Sequence, residues 1–214
     1  MSSVSEWVVR EYFEQRGYLV HQPRKYVGTA GQKTAAGEVD LVVCNPNVAE
    51  HSVPAHMVWT STDLAHVARA VVAVSGGHTD RAYPAMFEQA PELLRFVEPA
   101  SLRQAARLLG STDIARILCV TRLPVSGESK EKTIALLKDR GIHGIIEFET
   151  ILGELIDGVE KNRNYEKSDL LQILRLLKVY NFIKDPQMEL FSRKARNPHI
   201  RGGVSGAREA EGGA

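Results

Sequence analysis

In the segment GEVDLVV, residues 37–43, two carboxylates stand two positions apart, Glu38 and Asp40. On an extended chain such residues project from the same face. At about 5 Å and an effective dielectric near 20 their repulsion is about 3 kcal/mol, which a divalent cation, a neighbouring arginine or a raised pKa has to offset. Asp40 is the more informative of the two. Val39, Leu41, Val42 and Val43 surround it, and an isolated carboxylate in an apolar run is costly to bury. A third carboxylate, Glu6, lies three residues before Val9 and seven before Phe13, on the line that a helix would turn toward a sheet. A local role competes for it: Ser3-Val4-Ser5-Glu6 has the spacing of a capping box, in which the glutamate accepts from the backbone N–H of the cap residue. Both readings of Glu6 stand on the sequence.

These groups need a scaffold, and the chain has enough apolar residues for one: 214 residues, 43% of them hydrophobic, predict a single main domain of mixed type. The segment SSVSEWVVREYFEQRG predicts a helix closed at Gly17. YLVHQP and AGEVDLVVCNPN predict two strands that pair as a hairpin. Residues 46–68 show no clean period and predict an insertion with one helical turn after Asp63. Strand RAVVAVS, helical PAMFEQAPELLRFVE and SLRQAARLLG, strand ARILCVT, helical SKEKTIALLKDRG, strand GIIEFE and helical TILGELIDGVEKN follow. Strand-helix-strand units need crossovers and set parallel strands side by side, so the expected class is α/β, a mixed central sheet flanked by helices over residues 1–160.

SDLLQILRLLKVYNFI predicts a further helix over about 165–185, its stripe of Leu170, Leu174, Leu177, Leu171 and Ile173 docking on the body or on a partner. Residues 192–214 hold almost no large apolar side chain and are expected to be a disordered tail. Within it Arg193, Lys194 and Arg196 are the candidate phosphate contacts, against the plainer reading of a solubilising tail. With 27 Lys and Arg against 26 Asp and Glu, a formal charge of +1, any nucleic-acid face has to be local. Cys44 and Cys119 sit inside apolar runs as core residues. No run approaches the roughly 18 apolar residues of a membrane span, and a cytoplasmic, membrane-free protein is expected.

Taken together, the helix with an early glutamate leading to Gly17-Tyr18, the GEVDLVV strand, the apolar strand after it and the alternating helices and strands beyond resemble the restriction-endonuclease-like PD-(D/E)XK nucleases. The similarity is to the branch of archaeal Holliday-junction resolvases and Mrr-type restriction proteins, and it covers about residues 3–148. The resemblance implies that Glu6 matches the family's helix glutamate and Asp40 its strand aspartate. It further implies that both ligate Mg²⁺, with a Glu-X-Lys on the next strand positioning the water that cuts a phosphodiester of DNA. Here that strand reads Ala73-Val74-Ser75. Neither the second acid nor the ammonium is present, and loss of such an electrostatic group costs orders of magnitude in rate.

Two replacements are weighed. His78, after Ser75-Gly76-Gly77, can return over the strand end as a base, against the plainer reading of a solvated loop histidine. Glu88, Gln89 and Glu92 on the following helical segment can bring an acid back, against an exposed helix face. VAVSGG lacks the first glycine of a nucleophile elbow, LPVSGESKEKT misses phosphate-loop spacing, and there is neither zinc spacing nor a dinucleotide fingerprint, so no organic cofactor is expected. The expected function is a nuclease-like protein with a degenerate Mg²⁺ site, built around Asp40, Glu6, Glu38 and His78, that binds nucleic acid or a protein partner, a homodimer included, and cuts little. The alternatives are an active Mg²⁺-dependent endonuclease with a rearranged site and a structural interaction module.

Overall fold

The computed structural model describes residues 4–23, 39–75 and 81–183. Helix α1 (Val4–Glu14) leads into strand β1 (Leu19–His21), and β2 (Leu41–Cys44) pairs with it antiparallel. A long connection carrying the one-turn helix α2 (Ser61–Leu64) precedes β3 (Arg69–Val74), which runs antiparallel to β2. Helix α3 (Pro84–Gln89), a 3-10 helix (Pro91–Val97) and α4 (Pro99–Leu109) cross over to β4 (Ala115–Val120). Helix α5 (Gly127–Asp139) crosses to β5 (Gly144–Glu147), and α6 (Phe148–Gly158) and α7 (Asp169–Val179) follow. The five strands lie in the order β1-β2-β3-β4-β5, with β3, β4 and β5 parallel. The architecture is α/β, a mixed sheet flanked by helices.

Why the central strands are apolar without alternation follows from their burial on both faces. Leu41, Val43, Ala70, Val72, Ile117, Cys119 and Ile146 point into the core shared with α1, α6 and α7. Their neighbours Val42, Val71, Ala73, Leu118, Val120 and Ile145 point into the core under α3, the 3-10 helix, α4 and α5. Helix α1 is fixed on its side by Val8, Val9, Tyr12 and Phe13, all buried. It ends where Gly17 takes φ +80°, a left-handed conformation that turns the chain directly into β1. The Tyr18 hydroxyl then reaches the carbonyls of Leu64 and Val67, 2.7 and 2.6 Å away, tying the start of the hairpin to the insertion.

The insertion has a structural purpose that its lack of period conceals. Val58 forms a parallel bridge to Ile145 on β5, with Trp59 N donating to Ile145 O at 2.8 Å and Ile145 N to Met57 O at 2.6 Å. This covers an edge that would otherwise present unpaired backbone groups. Trp59 is fully buried, its indole lying directly over Gly144, where a side-chain carbon has no room.

Several boundaries differ from expectation. The helical turn of the insertion spans Ser61–Leu64, so it begins before Asp63; Asp63 caps it by accepting from Thr60 N at 2.9 Å. PAMFEQAPELLRFVE is broken at Ala90, since Pro91 excludes helical backbone from the residue before it, and the second half winds as a 3-10 helix. Strand β5 stops at Glu147, and Phe148 already opens α6. On α7, Leu171 and Leu174 are buried while Ile173 is 52% exposed, so the inward stripe is narrower than predicted. That helix is held further by the buried Lys178, whose Nζ donates to Val159 O at 2.9 Å. Cys119 is buried and Cys44 half-buried, both as free thiols. Among the described residues no helix is long and apolar enough to cross a membrane.

Candidate functional site

At the end of the sheet where β3 finishes, Glu6, Asp40, Glu92, Ala73, Val74, Leu93 and Leu118 line a cleft of about 160 Å³. Each carboxylate arrives from a different element. Glu6 stands in the first turn of α1, whose inward line is set by Val9 and Phe13. Asp40 occupies a bend one residue before β2, so it precedes that strand instead of lying within it. Glu92 is in the first turn of the 3-10 helix, which Leu94 and Phe96 anchor against the sheet.

The contact of Asp40 explains its place in an apolar run. Its Oδ2 accepts from Val74 N at 2.8 Å, continuing with a side-chain oxygen the ladder that pairs Leu41 with Val72. A carboxylate accepting a backbone N–H is a charge-assisted bond, stronger than a neutral one. The charge is felt nearby: burial first, and then the Asp40 carboxylate, push the Cys119 thiol well above its ordinary value, so this sulfur stays protonated and unreactive. Glu6 Oε2 accepts from Gln22 Nε2 at 2.7 Å, just past β1.

Across from Asp40, β3 offers nothing acidic or basic. Ala73 contributes a methyl group to the cleft wall. Ser75 is 4% exposed, its backbone N–H bound to Cys119 O at 2.9 Å and its hydroxyl without a hydrogen-bond partner among the described residues.

Mg²⁺ wants about six oxygens, several from water, around one or two well-placed carboxylates. Asp40 and Glu6 each commit an oxygen to a protein donor. Among the described residues no group of three or more His, Cys, Asp or Glu side chains is arranged to hold a metal ion. Among the described residues the cleft thus offers the carboxylates of Glu6, Asp40 and Glu92, with one oxygen of each of the first two engaged by a protein donor. Glu38, His78, Arg193, Lys194 and Arg196 lie outside the described residues. Glu88 is exposed on α3 and is not part of the cleft, whereas Glu92, four positions on, is. The proline break after α3 separates the two.

Sequence reasoning missed a second polar constellation, between α1 and α6. Glu154 accepts from the Tyr12 hydroxyl at 2.8 Å, from Arg16 Nη2 at 2.6 Å and from Ser61 N at 3.2 Å, and the Arg16 guanidinium lies 3.6 Å over the Tyr12 ring. Burial raises the Glu154 carboxyl, but these donors and the arginine charge outweigh it and leave it below its ordinary value. Tyr12 and Glu154 are 142 positions apart, and no local pattern links them.

Comparison of the chain with family models, with curated proteins and with solved structures finds no match in any of the three.

Proposed function

We propose that this chain is a restriction-endonuclease-like domain that binds DNA with little or no phosphodiester cleavage. Support comes from the arrangement of its parts: a helix, an antiparallel hairpin, a third antiparallel strand and then parallel crossovers place Glu6 and Asp40 at one sheet end. The observation that carries the reading is that these two carboxylates share one cleft, while the neighbouring strand presents Ala73 and a buried Ser75 where cleavage needs an acid and a cation. Without that pair, no cationic side chain among the described cleft residues answers the charge that builds during attack. Each such electrostatic group is worth about 100- to 1,000-fold in rate. A cleft lined by Glu6, Asp40 and Glu92 also repels phosphates, so DNA has to be held by cationic groups elsewhere. Arg193, Lys194 and Arg196 are the ones the sequence nominates.

The test is gel retention of linear and four-way-branched duplexes between about 50 and 200 mM salt, with Mg²⁺ present, followed by denaturing analysis of the strands. Binding should weaken steeply with salt and the strands should stay intact. Replacing Arg193, Lys194 and Arg196 by alanine should shallow the salt slope by about 2.7, at about 0.9 per phosphate contact. No retention at low salt would remove DNA as the ligand and leave a protein-interaction module. A second reading, a rearranged endonuclease, is favoured by one observation, the presence of Glu92 in the same cleft. It requires Mg²⁺-dependent cleavage that both Glu92→Gln and Asp40→Asn abolish.

A further inference from the structure

At the opposite end of the sheet, where β4 begins, a cavity of about 300 Å³ opens between α4 and the turn before β5. That volume is at the lower bound of small-ligand pockets. Its apolar wall is Leu102, Ala106 and Ile114. Its polar wall is unusual for a parallel strand: Arg116 interrupts the apolar run of β4 on the side covered by α4 and α5, and Arg103 of α4 and His143 stand beside it. A guanidinium set into a sheet face is expensive to bury unless something negative meets it.

The hydrogen-bond chemistry shows what is missing. A guanidinium only donates, so the close contact between Arg116 Nη2 and His143 Nε2 makes that ring nitrogen the acceptor. With Nε2 as acceptor, a neutral imidazole carries its proton on Nδ1. Burial, and next the facing Arg116 charge, hold this ring below its ordinary value of 6.5, in keeping with a neutral form. Both His143 Nδ1–H and Arg116 Nε–H are sealed from solvent and have no hydrogen-bond partner among the described residues. Two buried donors belonging to two side chains of one cavity wall, with no acceptor for either, are a costly arrangement, since each unmet donor costs about 1–3 kcal/mol. The acidic member of the lining, Asp113, is 68% exposed and has the Arg69 guanidinium 3.9 Å away.

We infer that this cavity is a binding site for a small oxyanion, a carboxylate or phosphate group held by Arg103 and Arg116, with His143 donating from Nδ1 after a small turn of its ring. The apolar wall suits a short carbon skeleton attached to that group. The site is at the far end of the sheet from the carboxylate cleft and is independent of the DNA-binding reading.

The experiment titrates the full chain with inorganic phosphate and, separately, with acetate, ionic strength being held constant with chloride. It follows the melting temperature and the ¹⁵N shift of His143 Nδ1. A saturable rise in melting temperature with a displaced Nδ1 resonance is expected for at least one of the two anions, and which one responds assigns the ligand as phosphate or carboxylate. Arg116→Met should abolish the response and Arg103→Gln should weaken it at least tenfold. Arg103 is exposed on α4, so its variant tests the site even where Arg116→Met fails to fold. The inference is overturned if neither anion acts beyond chloride, or if Arg103→Gln binds as tightly as the parent chain.

Discussion

Replacing Asp40 separates a structural carboxylate from an ion ligand. Its Oδ2 takes the Val74 N–H at 2.8 Å, and Val74 is 9% exposed, so Asp40→Ala leaves a nearly buried backbone donor without its acceptor. A hydrogen bond to a charged group contributes about 1.5–3 kcal/mol. With about 2 kcal/mol lost, and about 2–4 °C per kcal/mol for a chain of this size, the melting temperature should fall by about 4–8 °C. Asp40→Asn keeps an oxygen acceptor and loses only the charge assistance, so about half that shift is expected. Calorimetric melts of the three proteins, with and without about 10 mM Mg²⁺, read both effects; an ion bound with a dissociation constant near 1 mM would add about 1.4 kcal/mol to the parent alone. The order parent, Asn, Ala, independent of Mg²⁺, is the predicted result. Refutation would be an Asp40→Asn protein more stable than the parent in metal-free buffer, coupled to a Mg²⁺ response in the parent, because that pattern belongs to a carboxylate held against repulsion to await a cation.

Two further outcomes follow from the packing. His51 and His143 are both held below their ordinary value of 6.5, each by burial first. The native state thus binds fewer protons than the unfolded chain. Their stability contribution is fully present above pH 6.5 and is lost as pH falls through the folded values. Urea melts from pH 8 to 5 should show this decline, and His51→Gln with His143→Gln should flatten it; a parent stability constant across that window would contradict it. Glu154, also depressed, adds a separate loss only below its ordinary value of 4.5. Gly144→Ala drives a methyl group into the Trp59 indole, and such overpacking costs about 1–3 kcal/mol. Trp59→Leu in the same chain should recover part of it, and a double-mutant cycle with no coupling between the two positions would show that the insertion does not seal the β5 edge as described.

Much of the fold was legible because both cues it depends on are local. Strands such as RAVVAVS are covered on both faces and read as unbroken apolar runs, and the segments between them are punctuated by Pro84, Pro91 and Pro99 at helix starts and by Gly110 and Gly141 at helix ends. The antiparallel start followed by parallel crossovers came from segment order alone. The insertion was opaque, since Trp59 reaches its partner Gly144 across 85 residues and its backbone pairing has no period to display. Spacing places Ile173 inward, although the width of the buried face of α7 is decided by the core cluster that Leu171 and Leu174 join and not by the helix's own pattern. At the site, Glu6 and Asp40 were readable by type and place. Choosing Glu92 over Glu88 was not, because the proline at 91 resets the helical phase: both acids are exposed, but only Glu92 lines the cleft. The Tyr12-Arg16-Glu154 and Arg116-His143 groups are contacts between distant segments, invisible until the sheet brings them together.

The central proposal is that the cleft is a nuclease-like site whose β3 side presents no charged group to Asp40. Position 73 is one step beyond the Leu41–Val72 pair and lines the cleft with Glu6 and Asp40, so Ala73→Glu should return a carboxylate to the wall facing Asp40. Isothermal titration of Mg²⁺ into the parent and into Ala73→Glu tests this directly. Saturable binding in the variant, absent from the parent and abolished by adding Asp40→Asn, is the predicted result. A folded Ala73→Glu protein that takes up no Mg²⁺ would contradict the account.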